Sequence, residues 1–201
     1  MASVIDICNL ALGHLGDDAS VSSISPPEGS AQAEHCARFY PIARDAILEL
    51  HDWKFATRRV ALTQLDIASW EWAGAFAAPN NMLRILAVLP REAASDAGSE
   101  DFETASSDDG ALIVLTNTAS PSARCTFRVT DTTRYPPLFV DALSRLLASY
   151  LAGPIIKGDA GMSVSRAQYQ GFMLSLAQAK VSDANQQRRT LEHTPGWISA
   201  R

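Results

Sequence analysis

Cys8, His14, Cys36 and His51 are the residues best suited by type to hold a metal ion or to form a nucleophile–base pair. Their spacing argues against both uses. A zinc site draws its Cys and His from short paired spacings, and the sequence holds no CxxC and no HxxxH. His35 and Cys36 are neighbours, and neighbours on a helix point about 100° apart. Cys36 also falls on an apolar stripe, where a thiol is inert filler. Paired carboxylates for glycoside hydrolysis must face a cleft about 5–10 Å apart. Asp17-Asp18 and Asp108-Asp109 are instead adjacent and lie in turn contexts, which explains them without catalysis. Glu49 and Asp52 share a helical face, but a solvated one. No glycine-rich phosphate loop, GxSxG elbow or HExxH is present. We therefore expect no metal, no cofactor and no enzymatic activity.

Contact residues are easier to find. Trp53 and Phe55 bracket Lys54 at an aromatic hinge. They belong in a core or, if partly exposed, are the kind of anchors that dominate protein interfaces. Arg58-Arg59 and Arg188-Arg189 are the tight basic pairs. They suit interface charges or complements to helix C-termini better than DNA contacts, because nothing interleaves them with aromatics as single-strand binders do. Trp197-Ile198 follow Pro195-Gly196 on a segment with no fold of its own, either a frayed end or a docking peptide.

The elements that must position these residues follow from periodicity. Ser3 and Asp6 fit a capping box, with Val4, Ile7, Cys8, Ala11, Leu12 and Leu15 as the buried stripe of a first helix ending at Gly16. Residues 17–29 form a loop, pinned by Val21 and Ile24. A second helix starts near Ser30 and carries Cys36, Tyr40, Ala43, Ile47 and Leu50 as its stripe, with a kink at Pro41. From about 56 to 130 the helical period is lost. Strands are expected at 58–64, 82–89, 101–105, 111–116 and 124–130, with Asp109-Gly110 turning a hairpin. Cys125, Phe127 and Val129 alternate with polar residues, so the last strand should bury one face. After Tyr135-Pro136-Pro137 a strongly apolar helix runs to a stop or a bend at Gly153-Pro154, and Ser163 caps a long last helix to about Arg188.

The fold class expected is α+β. N- and C-terminal helices (residues 1–57 and 135–189) form an antiparallel bundle around an inserted antiparallel sheet (58–134), and a flexible tail follows (190–201). Apolar residues at 47% and charged residues at 19% describe an ordinary globular chain slightly short of charge. No apolar run is expected to reach the ~20 residues that span a bilayer, and no secretory signal opens the chain, so cytoplasmic synthesis is expected. A net charge of -5 suits a conduit that DNA passes better than a protein that grips phosphate.

The run from Cys36 through Tyr40-Pro41, Ala43-Arg44-Asp45, Leu48, Trp53 and Phe55-Ala56 to Arg59 resembles the head-to-tail adaptors of short-tailed bacteriophages, the tail tubular protein A family. Trp70-Glu71-Trp72 leading into Ala78-Pro79-Asn80-Asn81-Met82-Leu83-Arg84-Ile85 is similar to that family's aromatic-then-Pro-x-x-x-Leu-Arg run. Pro137-Leu138-Phe139, Leu147-Ala148-Ser149-Tyr150-Leu151-Ala152 and Ile155-Ile156-Lys157-Gly158-Asp159 resemble its penultimate helix and loop. The match covers roughly residues 3–188 and is a texture of apolar and aromatic positions. It implies a virion neck protein that forms a ring, by resemblance a dodecamer, beneath the portal protein. Such a ring would extend the channel for genomic DNA without binding it specifically and offer a platform to a tail nozzle. Rival readings are another phage connector or tail-completion protein, or a tail-associated wall hydrolase using Glu49 or Glu71.

Overall fold

The computed structural model describes residues 2–67, 71–93 and 98–186. Arg188, Arg189, Trp197 and Ile198 lie outside them, as do Trp70 and the whole expected tail. Four helices and two antiparallel sheets make up the fold: α1 (Val4–His14), α2 (Ala31–Glu49), then β1 (Thr57–Ala61), β2 (Thr63–Leu65), β3 (Gly74–Ala77), β4 (Met82–Pro90), β5 (Phe102–Ser106), β6 (Leu112–Thr116) and β7 (Pro121–Phe127), then α3 (Pro137–Ile156) and α4 (Gly158–Ala184). The chain is α+β.

Local chemistry explains most of the boundaries. At α1 the expected capping box is present, with the Ser3 side chain accepting from Asp6 N–H and Asp6 reaching back to Ser3 N–H. Ser30 caps α2 through Ala33 N–H. Helix α2 is continuous through Pro41, whose ring faces solvent where a missing N–H costs least. Its buried stripe keeps phase across the proline as Cys36, Tyr40, Ala43 and Ile47, and Leu48 joins them. Leu50, expected on that stripe, is 48% exposed, because the helix has ended there and its side chain turns outward.

One helix start differs from expectation, and of the stop or bend expected at Gly153-Pro154 the stop is absent. Helix α3 runs through Gly153-Pro154 to Ile156, and Lys157, with φ 62, breaks the chain direction in place of the proline. Helix α4 then starts at Gly158, so Ser163 lies inside it rather than capping it. At twenty residues, α3 is also long and apolar enough by length and composition to cross a bilayer, contrary to the sequence expectation. Most of its apolar side chains are instead covered by protein: Phe139, Leu143, Leu146, Leu147 and Leu151 sit in one core with Ile7 and Leu12 of α1, Ile47 and Leu48 of α2, and Phe172 and Leu176 of α4.

The inserted strands form two sheets where one was expected. One has the order β1-β7-β4 and the other β2-β3-β6-β5. The expected strand 58–64 is divided at Leu62, whose N–H donates to Pro121 O and closes the first sheet. Phe76 and Val114 from the second sheet meet Val88, Ala123, Cys125 and Phe127 from the first, giving a core of its own. Gly74-Ala75-Phe76-Ala77 was not expected as a strand, since Gly and Ala have little β preference. Strand β7 begins three residues earlier than expected and pairs on both sides, so Ser122 and Thr126 are buried along with the apolar alternates. The hairpin at Gly110, φ +80, joins β5 to β6 as expected.

Candidate interaction surface

Trp53 is buried in the helical core. It is 1% exposed, its indole Nε1–H donates to Ile47 O at 2.8 Å, and its ring meets Phe139 edge-on at 5.0 Å. As a partner-interface candidate it is corrected to a core residue, because no surface of it remains for another protein. Phe55, half-buried, packs on Tyr135 and Phe139, and its carbonyl accepts from Arg134. The aromatic hinge is thus the joint where α2, β1 and α3 meet. Asp183 from the end of α4 completes it. That carboxylate is 3% exposed, accepts the Lys54 backbone N–H at 3.2 Å, and lies 3.3 Å from His51 Nε2.

Arg58 and Arg59 are exposed, and the strand sends them to opposite faces. The Arg58 guanidinium stacks over Phe127 at 4.0 Å, a cation–π contact. Arg59 donates to Ser122 Oγ and to the carbonyls of Pro90 and Ala93, tying β1 to the end of β4. Both line a groove of about 700 Å³ with Ala78, Pro79 and Asn80.

The residues weighed for chemistry do not converge. Cys8 and Cys36 are buried in the same core; the Cys36 thiol and then burial push the Cys8 thiol up, while the Cys8 thiol holds Cys36 down. Burial alone raises Cys125 to about 11. All three are free and buried in the core, so reaching any of them requires opening the fold. His14 lies by Ser144, at 3.1 Å, and His51 by Asp183. Burial, then Arg145, lowers His14. Among the described residues no group of three metal-ligating side chains forms. Asp6, Glu28, Asp109 and Asp131 are all shifted down, the first mainly by the Ser3 N–H, the others by Ser22, Ser107 and Thr133 hydroxyls. A general acid needs the opposite shift.

The surface that does stand out is apolar and was missed in the sequence. Helix α4 exposes Met162, Tyr169, Met173, Leu174 and Val181, with Leu174 at 70%. Over its 27 residues only Asp159, Arg166, Lys180 and Asp183 are charged, and Asp183 is buried. Beside it, between α2, β4 and α4, runs a groove of about 590 Å³ lined by Leu50, Leu83, Arg84, Tyr150, Tyr169 and Glu49 among others. Two register irregularities flank this part of β4 and turn Arg84 onto Asp52. Depletion of charge around aromatic and Met side chains is the compositional mark of a protein contact surface. The available signal was the low charge of residues 167–179, which hold no Asp, Glu, Lys or Arg at all.

No protein-family model matches the chain, and no curated protein matches it.

Proposed function

We propose that the chain is a structural virion protein, a head-to-tail adaptor of the tail tubular protein A kind. The observation that carries the reading is the long, charge-poor, exposed face of α4 beside an open groove. Such a face on a subunit supports assembly rather than catalysis. In this reading α1–α4 form an antiparallel bundle, and identical subunits close head-to-tail into a ring, a dodecamer, through heterologous contacts. The ring lies beneath the portal protein in the virion neck, after synthesis in the host cytoplasm. It extends the DNA channel and receives the tail nozzle. The acidic balance of the chain supports a lumen that lets DNA slide without specific binding.

Native mass spectrometry of the purified protein, alone and mixed with its virus's portal, tests this. A ring in either sample is the expected outcome. A subunit that stays monomeric and ignores the portal would remove the adaptor reading.

A further inference from the structure

Helix α4 carries a second regularity besides its low charge. Met162, Arg166, Tyr169, Met173 and Ala177 recur at spacings of four, three, four and four, and all are exposed. Asp159 precedes Met162 by three residues and Lys180 follows Ala177 by three, so one seam runs nearly the whole length of the helix. Mixed threes and fours are the repeat of a face that packs on another helix. The core-facing residues Phe172, Leu176 and Ala179 lie on a different face, so this seam is additional to the one that packs inward. Among the described residues Asp159, Arg166 and Lys180 make no ion pair and no side-chain hydrogen bond.

We propose that two copies of the chain pair through this seam, antiparallel about a two-fold axis that passes beside Tyr169. In an antiparallel pair each step up one helix is a step down the other. Setting Asp159 against the second copy's Lys180 therefore sets Met162 against Ala177 and Arg166 against Met173, and brings the two Tyr169 rings to the axis. Carboxylate meets ammonium and a large side chain meets a small one. The Arg166 stem lies along a methionine and carries its guanidinium toward the groove where the second copy's Glu49 stands beside Tyr169. Arg84, the cation of that groove, is already held by Asp52 of its own subunit. The register is guarded on both sides. A slip of one heptad sets Arg166 against Arg166 in one direction and Arg166 against Lys180 in the other, like charges in both cases. From Asp159 to Lys180 the seam is about 32 Å long, and a helix face about 11 Å wide gives about 350 Å² on each copy, under half of the ~800 Å² per partner of a stable complex. The pair is thus weak and reversible. It goes beyond the adaptor reading, because a two-fold pair is closed and describes the free subunit; its small area lets the same face be given up to a ring.

Sedimentation equilibrium of the full-length chain, from micromolar to near-millimolar concentration, tests the pairing. A reversible monomer–dimer equilibrium is expected. Lys180→Glu turns two attractive contacts into repulsive ones and should weaken it about tenfold. Adding Asp159→Lys to the same chain should restore it. Asp159→Cys and Lys180→Cys, mixed as separate chains and oxidised, should give the mixed disulfide in excess over either homodimer, with Cys8, Cys36 and Cys125 buried out of the exchange. Circular dichroism melts establish that each variant keeps the fold. A parent that stays monomeric throughout, a dimer indifferent to Lys180→Glu, or a double variant no stronger than the single would each overturn the proposal. A ladder of larger species would give the seam to head-to-tail contacts, overturning the two-fold pair while leaving the adaptor reading in place.

Discussion

Trp53 gives the sharpest test of how the fold is held. Its side chain does two separable things. The ring fills the centre of the helical core, and the indole N–H satisfies Ile47 O, a carbonyl in the last turn of α2 where intrahelical donors run out. A tryptophan buries about 150–250 Å², which at about 25 cal/mol per Å² corresponds to about 4–6 kcal/mol. Measured large-to-small core changes of this type cost about 3–5 kcal/mol. Trp53→Ala should therefore lose most of the stability of a domain held by about 5–15 kcal/mol. Trp53→Phe keeps much of the ring, including a partner for the edge-on contacts with Phe139 and His51, but leaves a buried acceptor bare, for about 1–3 kcal/mol. Urea unfolding followed by circular dichroism reads both, with the slope against urea unchanged if only stability moves. If Trp53→Phe lies within about 0.5 kcal/mol of the parent, the ordinary range of a neutral surface change, the hydrogen bond is not holding the end of α2.

Two glycines should respond in opposite directions. A Cβ on Gly161 would sit 2.9 Å from Ala152 O, backbone against backbone where α4 crosses α3, so Gly161→Ala should cost about 1–3 kcal/mol by overpacking. A Cβ on Gly13, inside α1, meets nothing within 4 Å, so Gly13→Ala should add about 0.5–1 kcal/mol; thermal unfolding of the pair measures both. His14, lowered by burial from 6.5, is neutral in the fold over a window where the unfolded chain takes up a proton. Its contribution is present above pH 6.5 and is lost as pH falls toward its lowered value. A melting series across that window should flatten in His14→Gln.

Most helix starts were legible because capping is local: Ser3 with Asp6, and Ser30 with Ala33 N–H, act within one turn. The strands at 82–89, 101–105 and 111–116 were legible for a similar reason, being runs of apolar or alternating residues closed by turn chemistry. Division of the insert into two sheets was not, because it depends on Leu62 pairing with Pro121, 59 residues away. At Gly153-Pro154 local rules left a stop and a bend of α3 both open, and packing on α1, α2 and α4 carries the helix on. The surface was the least legible part. Met162, Tyr169 and Met173 have the composition of a core stripe, and only the positions of Phe172, Leu176 and Ala179 reveal which face of α4 is turned inward.

Asp183 ties that surface to the core. A buried carboxylate is costly unless fully paired, and this one is paired with groups from the far end of the bonded path: Lys54 N–H reaches both its oxygens, at 3.2 and 3.3 Å, and His51 lies beside it. The contact fixes the C-terminal turn of α4 on the corner between α2 and β1. Asp183→Asn keeps one acceptor for Lys54 N–H and should cost little in packing. Asp183→Ala leaves that N–H and His51 without a partner, at about 1–3 kcal/mol for the amide alone. Urea unfolding would show the difference between the two variants. If the alanine variant matches the parent in stability, the last turn of α4 is not anchored at the hinge.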